Sequence, residues 1–241
     1  MHFFYVLVNG VTWCIASKLI KNSPKYEKTL NRIFNKIKDQ NVFLNLREKL
    51  TSEYLDKKDI QNLKIDSTDI MNANCIKEEL DRSWKLHKQA TKASFIIDQN
   101  NVCLNYSLEK PTKYDSKAGY DLILNSKLSK NKTKRIYLAG DKGYTLCKND
   151  IQTIVKSKNI MIVTPKKIYK KTTKKNKYYK KKRVRHSKQI KETLKQRIQI
   201  EHFNSVLHRS YKRLDKIFDK SLSSFCVFID VALSIIILRN L

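Results

Sequence analysis

From Tyr26 to Leu50, apolar residues return at helical spacing: Leu30, Ile33, Phe34 and Ile37, then Phe43, Leu44 and Leu46, with Lys and Arg between them. Together with the apolar start of the chain, this predicts a helical region over residues 1 to about 58. The period then changes. Leu63-Lys64-Ile65-Asp66 reads as a short strand ending in an acid, and Ser94–Asp98 and Val102–Leu108 read as two strands joined by the turn cluster Gln99-Asn100-Asn101. Asp115–Leu128 reads as a helix and Arg135–Ala139 as a strand. Gly140-Asp141-Lys142-Gly143 follows as a turn, in which Gly143 is expected at positive φ. Leu146–Lys156 reads as a helix and Ile160–Val163 as a strand stopped by Pro165. Residues 192–218 read as one long helix and 222–238 as an apolar one.

The first three strands can form an antiparallel meander, and the last two can be reached by helical crossovers. The expected fold class is α/β: a mixed five-stranded sheet flanked by helices, over residues 59–241, preceded by the small helical region 1–58.

Composition narrows the chemistry. The chain has 241 residues, 51 Lys plus Arg against 22 Asp plus Glu, and a net charge of +29. Such an excess points to a polyanionic partner, with nucleic acid foremost. Residues 166–191 hold 14 of the Lys and Arg and no acid, with Tyr169, Tyr178 and Tyr179 interleaved. That stretch reads either as an arm for a polyanion or as a solvated loop. The four glycines, at 10, 119, 140 and 143, cannot build a phosphate-cradling loop. The five cysteines are scattered and form no CxxC pair, so they read as reduced thiols of an intracellular protein that is not secreted. The apolar start, Met1–Ala16, lacks the basic flank of a signal peptide. The apolar run Phe225–Leu238 is short for a bilayer and carries Asp230 inside it, so it reads as a buried helix.

Three acids stand out by position. Asp66 ends the first strand, Asp141 follows the fourth, and Glu201 lies in the late helix. Strand-end carboxylates on adjacent strands, with a third from a helix packed on the sheet, repel one another unless a cation neutralises them. A hard divalent ion with oxygen ligands does this and suits phosphodiester chemistry. Taken singly, each acid fits a turn, a cap or a surface ion pair equally well.

In combination these blocks resemble the DDE transposases of bacterial insertion-sequence type, whose catalytic domain is ribonuclease-H-like. Ile65-Asp66-Ser67-Thr68 resembles the first catalytic block, and Ala139-Gly140-Asp141-Lys142-Gly143-Tyr144 resembles the second most specifically. Arg197-x-x-x-Glu201-His202-Phe203, with His208-Arg209 and Tyr211-Lys212-Arg213-Leu214, resembles the third. Thr91-Lys92 through Asn100 and Tyr114-Asp115-Ser116-Lys117-Ala118 resemble the strand, turn and helix start between them. The apolar end and the helical start also match in kind. The chain departs from one subgroup at Leu194, where that subgroup has Tyr, and at His208, where it has Lys. Family members usually carry more residues ahead of this start, so the DNA-binding region is expected to be truncated.

The resemblance implies a transposase that cuts DNA at transposon ends and transfers the strand into target DNA. The alternative is a catalytically inactive or domesticated DNA-binding derivative. It implies Asp66, Asp141 and Glu201 as ligands of two Mg²⁺ or Mn²⁺ ions. It also implies double-stranded DNA as partner, a homodimer or higher oligomer on that DNA, and no membrane. The expected DNA contacts are Lys92, Lys142, Tyr144, Arg197, His208, Arg209 and, in the basic arm, Lys180, Lys181, Lys182 and Arg183. Arg197, one turn before Glu201, could hold a phosphate or pair with Glu201. His208 fits a phosphate contact or an ordinary surface position, and Tyr144 fits DNA contact or packing.

Overall fold

The computed structural model describes residues 2–19, 27–72, 81–83, 85–128, 134–165, 188–217, 219 and 221–241. Most of the basic arm, including Lys180, Lys181, Lys182 and Arg183, lies outside the described residues.

The sheet is mixed and is flanked by helices, as the resemblance implied. Its long central strand is β1 (Asn62–Asn72). Along one side run β3 (Gln89–Asp98), antiparallel to β1, and β4 (Cys103–Glu109), antiparallel to β3. Along the other side run β5 (Ile136–Ala139) and β6 (Ile160–Val163), each parallel to its neighbour. These are the five expected strands. Two more bring the sheet to seven strands among the described residues: β2 (Asp81–Arg82) pairs with β3, and β7 (Lys216–Ile217) pairs in parallel with the far end of β1. Each spans two residues, too few to show a period in the sequence.

Alternation on the pleat divides the core in two. Leu63 and Ile65 of β1 and Ile96 of β3 face one cluster, with α5 (Asp115–Leu124) and α6 (Lys148–Lys158) contributing Leu122, Ile123 and Ile154. Ile70, Phe95 and Ile97 face the other. That second cluster contains Ile200, Phe203 and Leu207 of α8 (Ile198–Ser210) and the apolar face of α9 (Leu222–Leu238). It also takes in the helical start of the chain, α1 (His2–Asn9), α2 (Trp13–Leu19) and α3 (Glu27–Asp39), where Trp13 and Phe34 meet Phe228 of α9.

α4 (Val42–Lys57) packs along α9, and there the apolar helix discloses why it carries an acid. Asp230 is buried and accepts from Arg47 Nε at 2.7 Å and from the Tyr106 hydroxyl at 3.0 Å. Among the described residues, no helix is long and apolar enough to cross a membrane.

Two expected helices are shorter. The helix from Asp115 ends at Leu124, where Ser126 bonds back to the Ile123 carbonyl. The single helix expected over 192–218 is instead α7 (Lys188–Gln196) and α8, interrupted at Arg197. Around Arg197 the backbone bonds tighten to i→i−3: Arg197 N–H bonds to the Leu194 carbonyl and Ile200 N–H to that of Arg197. After Ser210, Tyr211 leaves helical geometry and a 3₁₀ turn (Lys212–Leu214) leads into β7, burying Tyr211 and Leu214. No Gly or Pro marks either break.

Candidate active site

The parallel register of β1 and β5 sets Asp66 beside Asp141. The last pair is Lys64 with Ala139. Asp66 lies two residues further along β1, and Asp141 two residues past Ala139, just beyond the end of β5. Carried on past its last pair, this register would put the two residues at matching height on neighbouring parallel segments, and their carboxylates are within electrostatic reach of one another. β1 continues past this point while β5 stops, which opens the edge on which Asp141 stands.

Asp141 caps the short 3₁₀ turn Lys142–Tyr144, accepting from the Gly143 amide at 2.6 Å. Gly143 is not at positive φ, contrary to expectation; among the described glycines only Gly10 is. The requirement is space, since a Cβ on Gly143 would stand 2.6 Å from Asp115 Oδ2 and 2.9 Å from Asp141 Oδ1.

Asp66 is half-buried. Burial first pushes its carboxyl up to about 6, and Asp141 and Glu201 push in the same direction; the Ser67 amide and Arg197 oppose them. Glu201 of α8 and Arg197 just before it thus act on Asp66, and α8 packs on β1. Glu201 itself is exposed and pairs with Arg197 at 3.3 Å. Among the described residues, no group of three or more His, Cys, Asp or Glu side chains stands close enough to hold a metal ion. The chemistry of the donors nonetheless fits a hard divalent cation. Asp66 and Asp141 offer oxygens alone, and repulsion from Asp141 raises the Asp66 carboxyl in the absence of a cation.

The other expected residues divide. Lys142 is exposed on the turn beside Asp141, and Arg209 is exposed in the last turn of α8. Tyr144 is buried, its ring against Gly119, where a Cβ would stand 2.7 Å from it. Burial pushes its phenol well up. Of its two readings, packing is the one the structure has. His208 is half-buried, and burial lowers its pKa against the opposing pull of Asp215 and the Leu214 backbone. Lys92 points inward, donating to the Lys113 carbonyl at 2.7 Å and to Asp115 Oδ1 at 2.9 Å. Its ammonium is engaged within the protein.

Asp115 is the site neighbour that reading the chain for acids missed. It stands in the first turn of α5, where a carboxylate is favoured by the helix dipole, and in the sequence it showed only as part of the block that resembles the family's helix start, without a role at the site. Ser67, next to Asp66, donates to it at 3.2 Å.

Residues 32–237 match the family described as Transposase DDE domain. No curated protein matches the chain. Among solved structures, the chain is similar to the catalytic domain of Mos1 mariner transposase. The identity is 13%, over 74% of this chain and 95% of that one, at a TM-score of 0.30.

Proposed function

The chain belongs to the transposase DDE domain family, and from that premise we propose that it cuts DNA at transposon ends and joins the freed 3′-hydroxyl to target DNA. The observation that carries this reading is the β1–β5 register, which carried on would put Asp66 and Asp141 at matching height, with Glu201 near enough to act on Asp66.

Asp66 and Asp141 would hold Mg²⁺ or Mn²⁺ from the sheet, two ions when the site is full, and Glu201 would join them from α8 on parting from Arg197. When bound, the cations supply Lewis-acid activation and neutralise charge at the phosphodiester. The protein's own part is to place the DNA. Arg197, released from Glu201, is positioned to clamp a phosphate. Lys142 and Arg209 are exposed and meet the backbone, and the helical region 1–58 and the arm at 166–191 extend that contact nonspecifically. Joining two transposon ends calls for two copies of the chain on DNA.

A second reading, a DNA-binding derivative that has lost catalysis, is favoured by one observation: Glu201 is paired with Arg197 and no three-acid cluster is formed among the described residues. One experiment separates the two. A duplex carrying one end of the chain's own locus is incubated with Mg²⁺ or Mn²⁺ and with wild type, Asp66→Ala, Asp141→Ala or Glu201→Ala. Nicking that each substitution abolishes while DNA binding survives supports the enzyme. Tight binding without nicking under either metal supports the derivative.

A further inference from the structure

Asp66 and Asp141 sit on different strands, and a bound cation would need their separation held constant. Asp115 reaches a near neighbour of each. Its Oδ1 accepts from the hydroxyl of Ser67, the residue after Asp66, at 3.2 Å. Its Oδ2 lies against Gly143, whose amide is the donor that orients Asp141 at 2.6 Å. The packing there is tight enough that a single added carbon on Gly143 would stand 2.6 Å from Asp115 Oδ2.

A third carboxylate beside two others would ordinarily add repulsion. Lys92 removes that cost. It lies on β3 opposite Asp69 of β1, is buried, and meets Asp115 Oδ1 at 2.9 Å, while the Lys113 carbonyl fixes its ammonium from the loop before α5. The pair carries no net charge, so it contributes geometry without competing for the cation.

We propose that Asp115, held by Lys92, is a positioning residue that sets the spacing of Asp66 and Asp141 for a divalent metal. The inference rests on the reading of those two aspartates as metal ligands. Hydrogen-bonded partners behind metal ligands typically change metal affinity by about 10–100-fold when removed.

The test uses the full chain and Mn²⁺ alone, with free Mn²⁺ followed by electron paramagnetic resonance in the absence of DNA. Asp115→Asn is expected to raise the Mn²⁺ midpoint by about tenfold or more. It should also slow nicking at saturating DNA, with DNA affinity unchanged. Lys92→Arg, which keeps the charge, is expected to stay near wild type, and Lys92→Met to follow Asp115→Asn. A wild-type midpoint in Asp115→Asn, or a loss that only tracks the unfolded fraction in a thermal melt, overturns the proposal. If Asp115→Asn does not fold, Ser67→Ala removes one of the two holds. A midpoint about two- to tenfold higher supports the brace, and an unchanged one sinks it. Asp66→Ala is the control. If it binds Mn²⁺ normally, the metal-site reading fails; if it loses Mn²⁺ while Asp115→Asn does not, only the brace fails.

Discussion

Asp230 is buried and Asp66 half-buried, and burial pushes both carboxyls up. They differ in what answers the charge. Asp230 lies between α4, α9 and β4 with Arg47 at 2.7 Å and the Tyr106 hydroxyl at 3.0 Å. Asp66 has no ion pair among the described residues, and its nearest charged influences include two more acids. Neither burial nor the direction of a pKa shift therefore marks a functional acid. What separates the two is the ion pair. At Asp230 the protein supplies the cation; at Asp66, on the proposed reading, a metal ion would supply it.

The largest expected effect breaks the comparison from the Asp230 side. Asp230→Ala leaves Arg47 buried without a counter-charge, which costs about 3–5 kcal/mol. Urea unfolding should show that loss in full. Nicking by the fraction that remains folded should be close to wild type, because Asp230 is remote from the β1–β5 edge. A stable Asp230→Ala variant would mean that the buried pair is not what holds α9 to α4.

The next effect is a stabilisation confined to the Asp66 side. Mn²⁺ at about 100 times its dissociation constant should raise the stability of wild type by about 2.7 kcal/mol through linkage. The same addition should leave Asp66→Ala unmoved in a thermal melt. An equal shift in both proteins would place the bound metal elsewhere.

A third, smaller effect depends on pH in the metal-free protein. The folded-state pKa of Asp66, about 6, lies above the ordinary aspartate value of 3.8. The folded state therefore binds the proton more tightly than the unfolded chain. The resulting stability is fully present below pH 3.8 and is lost as pH rises through about 6. After allowance for solvent screening at a half-buried group, the change is on the order of 1 kcal/mol. Asp66→Asn should flatten the stability profile across that window, and added Mn²⁺ should reverse its slope. A wild-type profile in Asp66→Asn would assign the pH dependence to another group.

The comparison also shows what a sequence exposes. The five longer strands were legible from their apolar positions, and Asp141 was legible because it follows a strand; Asp66, expected to end the first strand, instead lies within β1, which pairs with β3 on to Met71 and ends at Asn72. Asp230 was visible as an acid in an apolar helix, but Arg47 lies 183 residues away and no local spacing joins them. Lys92 was expected as a DNA contact on the strength of the resemblance, and the structure turns its ammonium inward instead. Its inward direction depends on the register of β3 against β1 and on a helix start 23 residues later. β2 and β7 are too short to carry a period. The break at Arg197 has no Gly or Pro, since the packing of α8 on β1 and not local propensity decides it. The one-turn spacing of Arg197 and Glu201 was plain, yet it admitted both a phosphate clamp and an ion pair, and only the folded chain shows the pair.

That pair supplies the finest probe of the difference between the two aspartates. Arg197 and Glu201 are an exposed i,i+4 pair, worth about 0.3–0.5 kcal/mol, so Arg197→Gln should barely move the melting temperature. Its effect on the site should be larger than its effect on the fold. Removing the guanidinium frees Glu201 and takes a positive charge away from Asp66, and both changes favour a cation. The Mn²⁺ midpoint should therefore fall by about two- to fivefold, a shift of under 1 kcal/mol. DNA affinity should weaken at the same time, and its salt dependence should become shallower by roughly one phosphate contact. Opposite changes in metal and DNA affinity from one substitution would identify Arg197 as the residue that trades Glu201 for a phosphate. Parallel losses of both would show instead that the pair only shapes α8, and that the cation takes its third ligand from elsewhere.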